Sequence, residues 1–104
     1  MPYVIIWEFK LRPGMQKPFE EAYGLKGEWV RFFQQDPAYI RTELIQDVQE
    51  ASRYLTLDFW VSKAAYEAFR ESRKDEYQTI DAKCEQMTEA EREVGKFSGL
   101  DERP

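Results

Sequence analysis

Alternating and helical spacings of apolar residues take turns along this chain. In residues 3–10, Tyr3, Ile5, Trp7 and Phe9 alternate with Val4, Ile6, Glu8 and Lys10, which predicts a strand. After the turn signal "LRPGM", Phe19, Tyr23, Val30 and Phe33 recur at helical spacing, with Ala22, Trp29 and Phe32 widening the stripe, so a helix is expected from about Gln16 to Phe33. Gly24 and Gly27 weaken its middle, each by roughly 1 kcal/mol relative to Ala, so a kink or a close backbone approach is expected there. Pro37 closes it. A second strand follows over Tyr39–Val48, with Ile40, Leu44 and Val48 set against Arg41, Glu43 and Asp47.

The third strand ends at Trp60. Leu55, Leu57, Phe59 and Val61 read as its buried face, which leaves Tyr54, Thr56, Asp58 and Trp60 on the other. That second set suits neither bare solvent nor plain core, because Thr56 and Asp58 need hydrogen-bond partners if buried. A cavity or a subunit interface suits it better. Ser62 is placed to cap the next helix, which carries Ala65, Tyr66, Phe69 and Arg73; Tyr77, Ile80, Cys84 and Met87 continue it after a break near Lys74. Thr88 and Glu91 match a capping box for one short turn, and "EVGKF" reads as a brief last strand. The order β-α-β-β-α(α)-β is the split βαβ arrangement of ferredoxin-like α+β folds, an antiparallel sheet with helices on one face.

At 104 residues the chain is expected to be a single domain over 1–104, with 98–104 a frayed tail. Composition sharpens this. Aromatics make up 15% of the residues, more bulk than a small one-sheet core readily covers, so an aromatic pocket or a large interface is expected. A net charge of −5 opposes binding to nucleic acid or to an anionic membrane surface. The apolar run Tyr3–Trp7 is too short to span a membrane, and the lone Cys84 makes no internal disulfide, which together point to a reducing cytoplasm. There is no His. Ser-His-Asp and Cys-His pairs, His-ligated zinc and imidazole-ligated haem are therefore excluded, and with no glycine-rich nucleotide fingerprint no cofactor is expected, whether haem, flavin or transition metal.

"LRPG", "GEWVRFF" before "DPAYIRTEL", "YLTLDFWVSKAAYEAF", "EYQTID", "MTEAERE" and "VGKF" occur in order over residues 3–98, and as a set they resemble the antibiotic biosynthesis monooxygenase family. The resemblance implies a dimeric α+β barrel, two ferredoxin-like subunits joined sheet to sheet as a homodimer. It also implies that Trp60 matches a pocket Trp at the end of the third strand and Tyr66 a pocket Tyr on the next helix. The Asn that such members carry four residues before the Trp is here Thr56. A haem-degrading branch uses an Asn on the first strand, where this chain has the bulky Trp7, and an axial His that it lacks.

The expected function is thus cofactor-independent oxygenation of a small aromatic or quinol-type substrate that gives an electron to oxygen once deprotonated. Trp60, Tyr66 and Asp58 are the candidate catalytic residues. Trp7, Thr56, Phe69 and Arg73 are candidates for substrate binding. A structural pairing of Asp58 with Arg41 or Arg53 competes with its role as a base, and plain packing competes for Trp60. The alternative functions are a non-catalytic homodimer that binds a small ligand, or isomerase or decarboxylase chemistry on a related barrel.

Overall fold

The computed structural model describes residues 2–100; the last four residues of the expected tail lie outside them. The order of elements is β1 (Tyr3–Leu11), α1 (Gln16–Tyr23), α2 (Glu28–Phe33), β2 (Tyr39–Gln46), β3 (Arg53–Trp60), α3 (Lys63–Ser72), α4 (Lys74–Cys84), a 3-10 turn (Glu85–Met87) and β4 (Thr88–Ser98). All strand pairs are antiparallel and the sheet order is β2-β3-β1-β4. This is the ferredoxin-like arrangement expected from the order of patterns. Among the described residues no helix is long and apolar enough to cross a membrane.

Three expectations change. The segment over Gln16–Phe33 forms two helices, because a Cβ on Gly27 would lie 2.3 Å from the Ala22 carbonyl oxygen and the chain turns back on itself there. The stretch from Thr88 is no helical turn: it opens an eleven-residue edge strand whose charged residues face largely to solvent. The third change is the parity of β3. Tyr54, Thr56, Asp58 and Trp60 are buried beneath the helices, whereas Leu55, Leu57 and Phe59 are only half-buried and Val61 is 49% exposed. The outward parity, with Leu55, Leu57 and Phe59, is the more apolar of the two, and the inward one carries Thr56 and Asp58, so alternation alone pointed to the wrong side.

The core lies between sheet and helices and is chiefly aromatic. Phe9, Phe19 and Tyr23 pack at one end, and Phe33, Trp60, Tyr66 and Phe69 at the other. Cys84 is buried there and packs as a small apolar residue. The opposite face of the sheet carries no helix. Register places Val4 and Ile6 of β1 between Phe59 and Leu57 on one side and Phe97 and Gly95 on the other, and Ile45 of β2 beside Leu55. Its polar end is laced with charge: Glu8 accepts from Arg53 at 2.6 Å and from Arg92 at 3.0 Å, and Arg53 also pairs with Asp47 at 3.0 Å. These two guanidinium groups hold the Glu8 carboxyl below its ordinary value.

Ser62 caps α3 as its position suggests, its Oγ accepting from the Ala65 amide at 3.1 Å. Ser62→Ala should therefore cost about 1 kcal/mol in urea unfolding, with little change in the slope. An unchanged midpoint would show that the cap contributes nothing to stability.

Candidate active site between sheet and helices

A cavity opens between the sheet and helices α1, α2 and α4. Trp7, Phe9, Thr42, Thr56, Asp58 and Glu91 line it from the strands, and Tyr23, Trp29, Phe33, Tyr77 and Asp81 from the helices. Each is placed by local periodicity. Trp7 and Phe9 share the inward parity of β1, Thr56 and Asp58 that of β3, and Trp7 and Thr56 are direct partners across the two strands. Trp29 is set by the sharp turn at Gly27, and its ring meets Tyr77 edge-on at 5.0 Å. The space left is about 30 Å³, room for about two waters.

Asp58 is the most deeply placed charge-bearing group. It is 8% exposed and accepts one hydrogen bond, from Thr42 Oγ1 at 2.6 Å. Since the Thr42 proton is directed to Asp58, the Tyr39 hydroxyl, 2.7 Å from Thr42 Oγ1, is the donor in that contact. A chain Tyr39–Thr42–Asp58 therefore runs from the half-buried edge strand into the cavity. Burial pushes the Asp58 carboxyl up to about 6, and the bond from Thr42 offsets this only in part. The expected pairing of Asp58 with Arg41 or Arg53 does not form. Arg41 lies 3.8 Å over the Phe59 ring on the open face and bonds Glu43, while Arg53 serves Glu8 and Asp47.

Asp81 and Glu91 stand nearer the surface. Burial, then the neighbouring Glu85, raises Asp81; burial, then Asp81 and Glu85, raises Glu91. Among the described residues no three acidic or Cys side chains come close enough together to hold a metal ion.

The structure brings together three of the sequence-derived candidates, Trp7, Thr56 and Asp58, in one wall. Trp60 and Tyr66 do meet, edge to face at 5.4 Å, but neither reaches the cavity. Trp60 is wholly buried behind it, edge-on to Phe33 at 5.5 Å and to Tyr39 at 5.4 Å. The cavity thus lies away from α3, not beneath it. Tyr66 accepts from Arg70 at 2.8 Å, and Arg70 lies 3.6 Å over the ring of Tyr77, so this pair braces the wall from outside. Phe69 packs on Trp60 in the core, and Arg73 points to Gln35 and Glu76 at the surface. Sequence reasoning missed Thr42, Tyr39, Trp29, Tyr77, Asp81 and Glu91. Thr42 had a legible signal, a polar residue on the inward parity of an edge strand; the helical residues had none that separates wall from core.

Fold and site define a small α+β protein of ferredoxin-like topology with an aromatic, acid-bearing cavity between its layers. The family model for antibiotic biosynthesis monooxygenases matches residues 2–83, and the chain belongs to that family. No curated protein matches it in sequence. Among solved structures, an alanine variant of SnoaB, a cofactor-independent oxygenase from Streptomyces nogalater, superposes with a TM-score of 0.80 at 14% identity, covering 99% of this chain and 97% of that one. PA3566 from Pseudomonas aeruginosa gives 0.71 at 15% identity, over 96% and 95%. Rv0793 from Mycobacterium tuberculosis gives 0.67 at 14% identity, over the whole of both chains. At such identities these likenesses speak for the fold.

Proposed function

We propose that this protein is a homodimeric, cofactor-independent monooxygenase acting on a small aromatic of the anthrone or quinol class, with Asp58 as the base. The observation that carries this reading is a buried carboxyl, raised to about 6, opening onto an aromatic-walled cavity. A base of that strength is ionised at neutral pH yet keeps enough affinity to take an acidic proton. For an anthrone the balance is simple. Asp58 removes a proton from the ring methylene, the carbanion transfers an electron to oxygen, and recombination forms a carbon-bound peroxide. Loss of the remaining methylene hydrogen with cleavage of the O–O bond leaves the quinone carbonyl, and the second oxygen atom departs as water. Thr42 holds the Asp58 carboxylate in place and connects it to Tyr39, which offers the proton a route back to solvent.

Family membership and the cofactor-independent oxygenase SnoaB among the structural neighbours support the reaction type. Trp7 and Thr56 touch substrate in this reading. Trp60, Tyr66 and Phe69 act at one remove, by holding Phe33 and Tyr77. The dimer follows from the uncovered apolar sheet face, which a second copy covers in the same way. One observation favours the rival reading of a ligand-binding homodimer without chemistry: about 30 Å³ is too little for a three-ring substrate unless wall side chains swing aside.

Oxygen uptake decides between them. With a dihydroxyanthrone as probe, the oxygenase consumes oxygen and forms anthraquinone in equal molar amounts above the buffer rate. Substrate loss without oxygen uptake would indicate isomerase or decarboxylase chemistry, and no loss at all would leave the binding protein.

A further inference from the structure

A cavity of about 30 Å³ has no room for an aromatic ring, so its use by a substrate requires one wall to yield, and the walls are held unequally. Strands β1 and β3 are each paired along both edges, which fixes Trp7, Phe9, Thr56 and Asp58. Helix α1 is seated by Phe19 and Tyr23, and α2, only six residues long, buries Trp29, Val30, Phe32 and Phe33. No ring of that wall turns alone, since Trp29 is flanked by Tyr23, Phe33 and Tyr77 at 6.0, 5.7 and 5.0 Å between ring centres. Helix α4 is the exception. Of its eleven residues only Ile80 and Cys84 are buried; it starts without a side-chain cap at a non-helical break, Arg73 with φ −121° and ψ 30°, and it ends in the 3-10 turn Glu85–Met87. Few buried apolar side chains between two breaks mark a segment that opens before the rest of a fold.

The ties on α4 are slight. Lys83 pairs with Glu28 of α2 at 2.9 Å in an exposed contact, and Arg70 of α3 lies over the ring of Tyr77. Among the described residues no ion pair joins α4 to the sheet, and the groups that α4 and β4 bring to the cavity, Asp81 and Glu91, repel one another when ionised. The Cys84 thiol faces the Tyr23 hydroxyl and the Trp29 indole N–H, so it lies in the seam between α4 and the two helices before it. We propose that α4 is the hinged wall of the cavity, swinging from α2 about the break at Arg73 and the turn at Glu85–Met87, with the Lys83–Glu28 pair as its latch. The opening uncovers Trp29 and Asp58 to a substrate of several rings. That purpose rests on the cavity being the substrate site; the motion itself does not.

Cys84 is the chain's single cysteine, so its reaction with an aromatic disulfide, dithiobis(nitrobenzoate), reads the seam without any ligand. In the closed form the thiol is buried, and burial also raises its pKa, so it reacts only when α4 opens. Labelling in native buffer is expected to be at least about tenfold faster than global unfolding allows, with a urea slope well below the global one. Lys83→Glu sets like charges at the latch and should speed labelling about fivefold, and adding Glu28→Lys should restore the slow rate. Ser62→Ala, which loosens the fold away from α4, should leave the labelling rate unchanged. A full global slope, an equal acceleration by Ser62→Ala, or no response to Lys83→Glu overturns the hinged wall. Anthrone turnover in a protein whose Cys84 reacts only through global unfolding overturns it while leaving the oxygenase intact. Fast, latch-dependent labelling without oxygen uptake does the reverse.

Discussion

Asp58→Asn is expected to lower kcat for an anthrone by about a hundredfold to ten-thousandfold, the usual contribution of a positioned base. The amide keeps an oxygen that accepts from Thr42, so geometry is retained while basicity is lost. In the wild type, kcat/KM should rise with pH and level off above about 6, where the Asp58 carboxyl is ionised. The variant should lack that inflection. An undiminished kcat would remove Asp58 as the base, whatever the cavity binds.

The same substitution has a stability signature of definite sign. Unfolded, the Asp58 carboxyl titrates near 3.8, and folded near 6, so between these values the folded state holds the extra proton. The contribution of Asp58 to wild-type stability therefore falls as pH rises through that window and is flat above it. Two units of displacement correspond to about 3 kcal/mol. Asp58→Asn should gain on the wild type by up to that amount between pH ~4 and pH ~7 in chemical unfolding. A constant difference across the range would show that the carboxyl is not destabilised by burial.

The second large effect concerns the open sheet face. Leu57→Asp places a charge at its middle, beside Ile6 of β1 and Glu43 of β2. The side chain is half-buried and faces away from the helices, so the isolated subunit accommodates it. In a sheet-to-sheet dimer it becomes an unpaired buried charge, and dissociation should strengthen by at least about a hundredfold. Sedimentation velocity should show two subunits for the wild type at micromolar concentration and one for the variant. A wild type that is monomeric there would refute the dimer.

Periodicity located nearly every element, because β1 and α3 each bury one face and the spacing of large residues reports it. It failed where that condition fails. On β3 the face toward the uncovered side carries the more apolar set and the face toward the helices carries Thr56 and Asp58, so Leu55, Leu57 and Phe59 passed for core. On β4, an edge strand with few buried contacts, Glu89, Glu91 and Arg92 carry no apolar alternation, and the capping-box match at Thr88 misled. The site was legible as residue types on β1 and β3, where Trp7, Thr56 and Asp58 share the inward face. Its other half was not, since Trp29, Tyr77 and Asp81 are brought to the cavity by the break at Gly27 and the angle of α4, which follow from packing and leave no trace in local spacing.

The place of β1 between β3 and β4 bears on how the protein reaches its native state. Tyr3 pairs with Trp60 on one side and with Ser98 on the other, so the central strand finds neither neighbour locally in the chain. Closing such distant pairs costs loop entropy before any reward arrives, which slows folding relative to helical proteins of this size. While β4 is undocked, β1 presents an unpaired edge next to a face of Val4, Ile6, Leu57 and Phe59, the combination that invites strand-to-strand association between molecules. Refolding yield should accordingly fall with protein concentration even where the native dimer is stable.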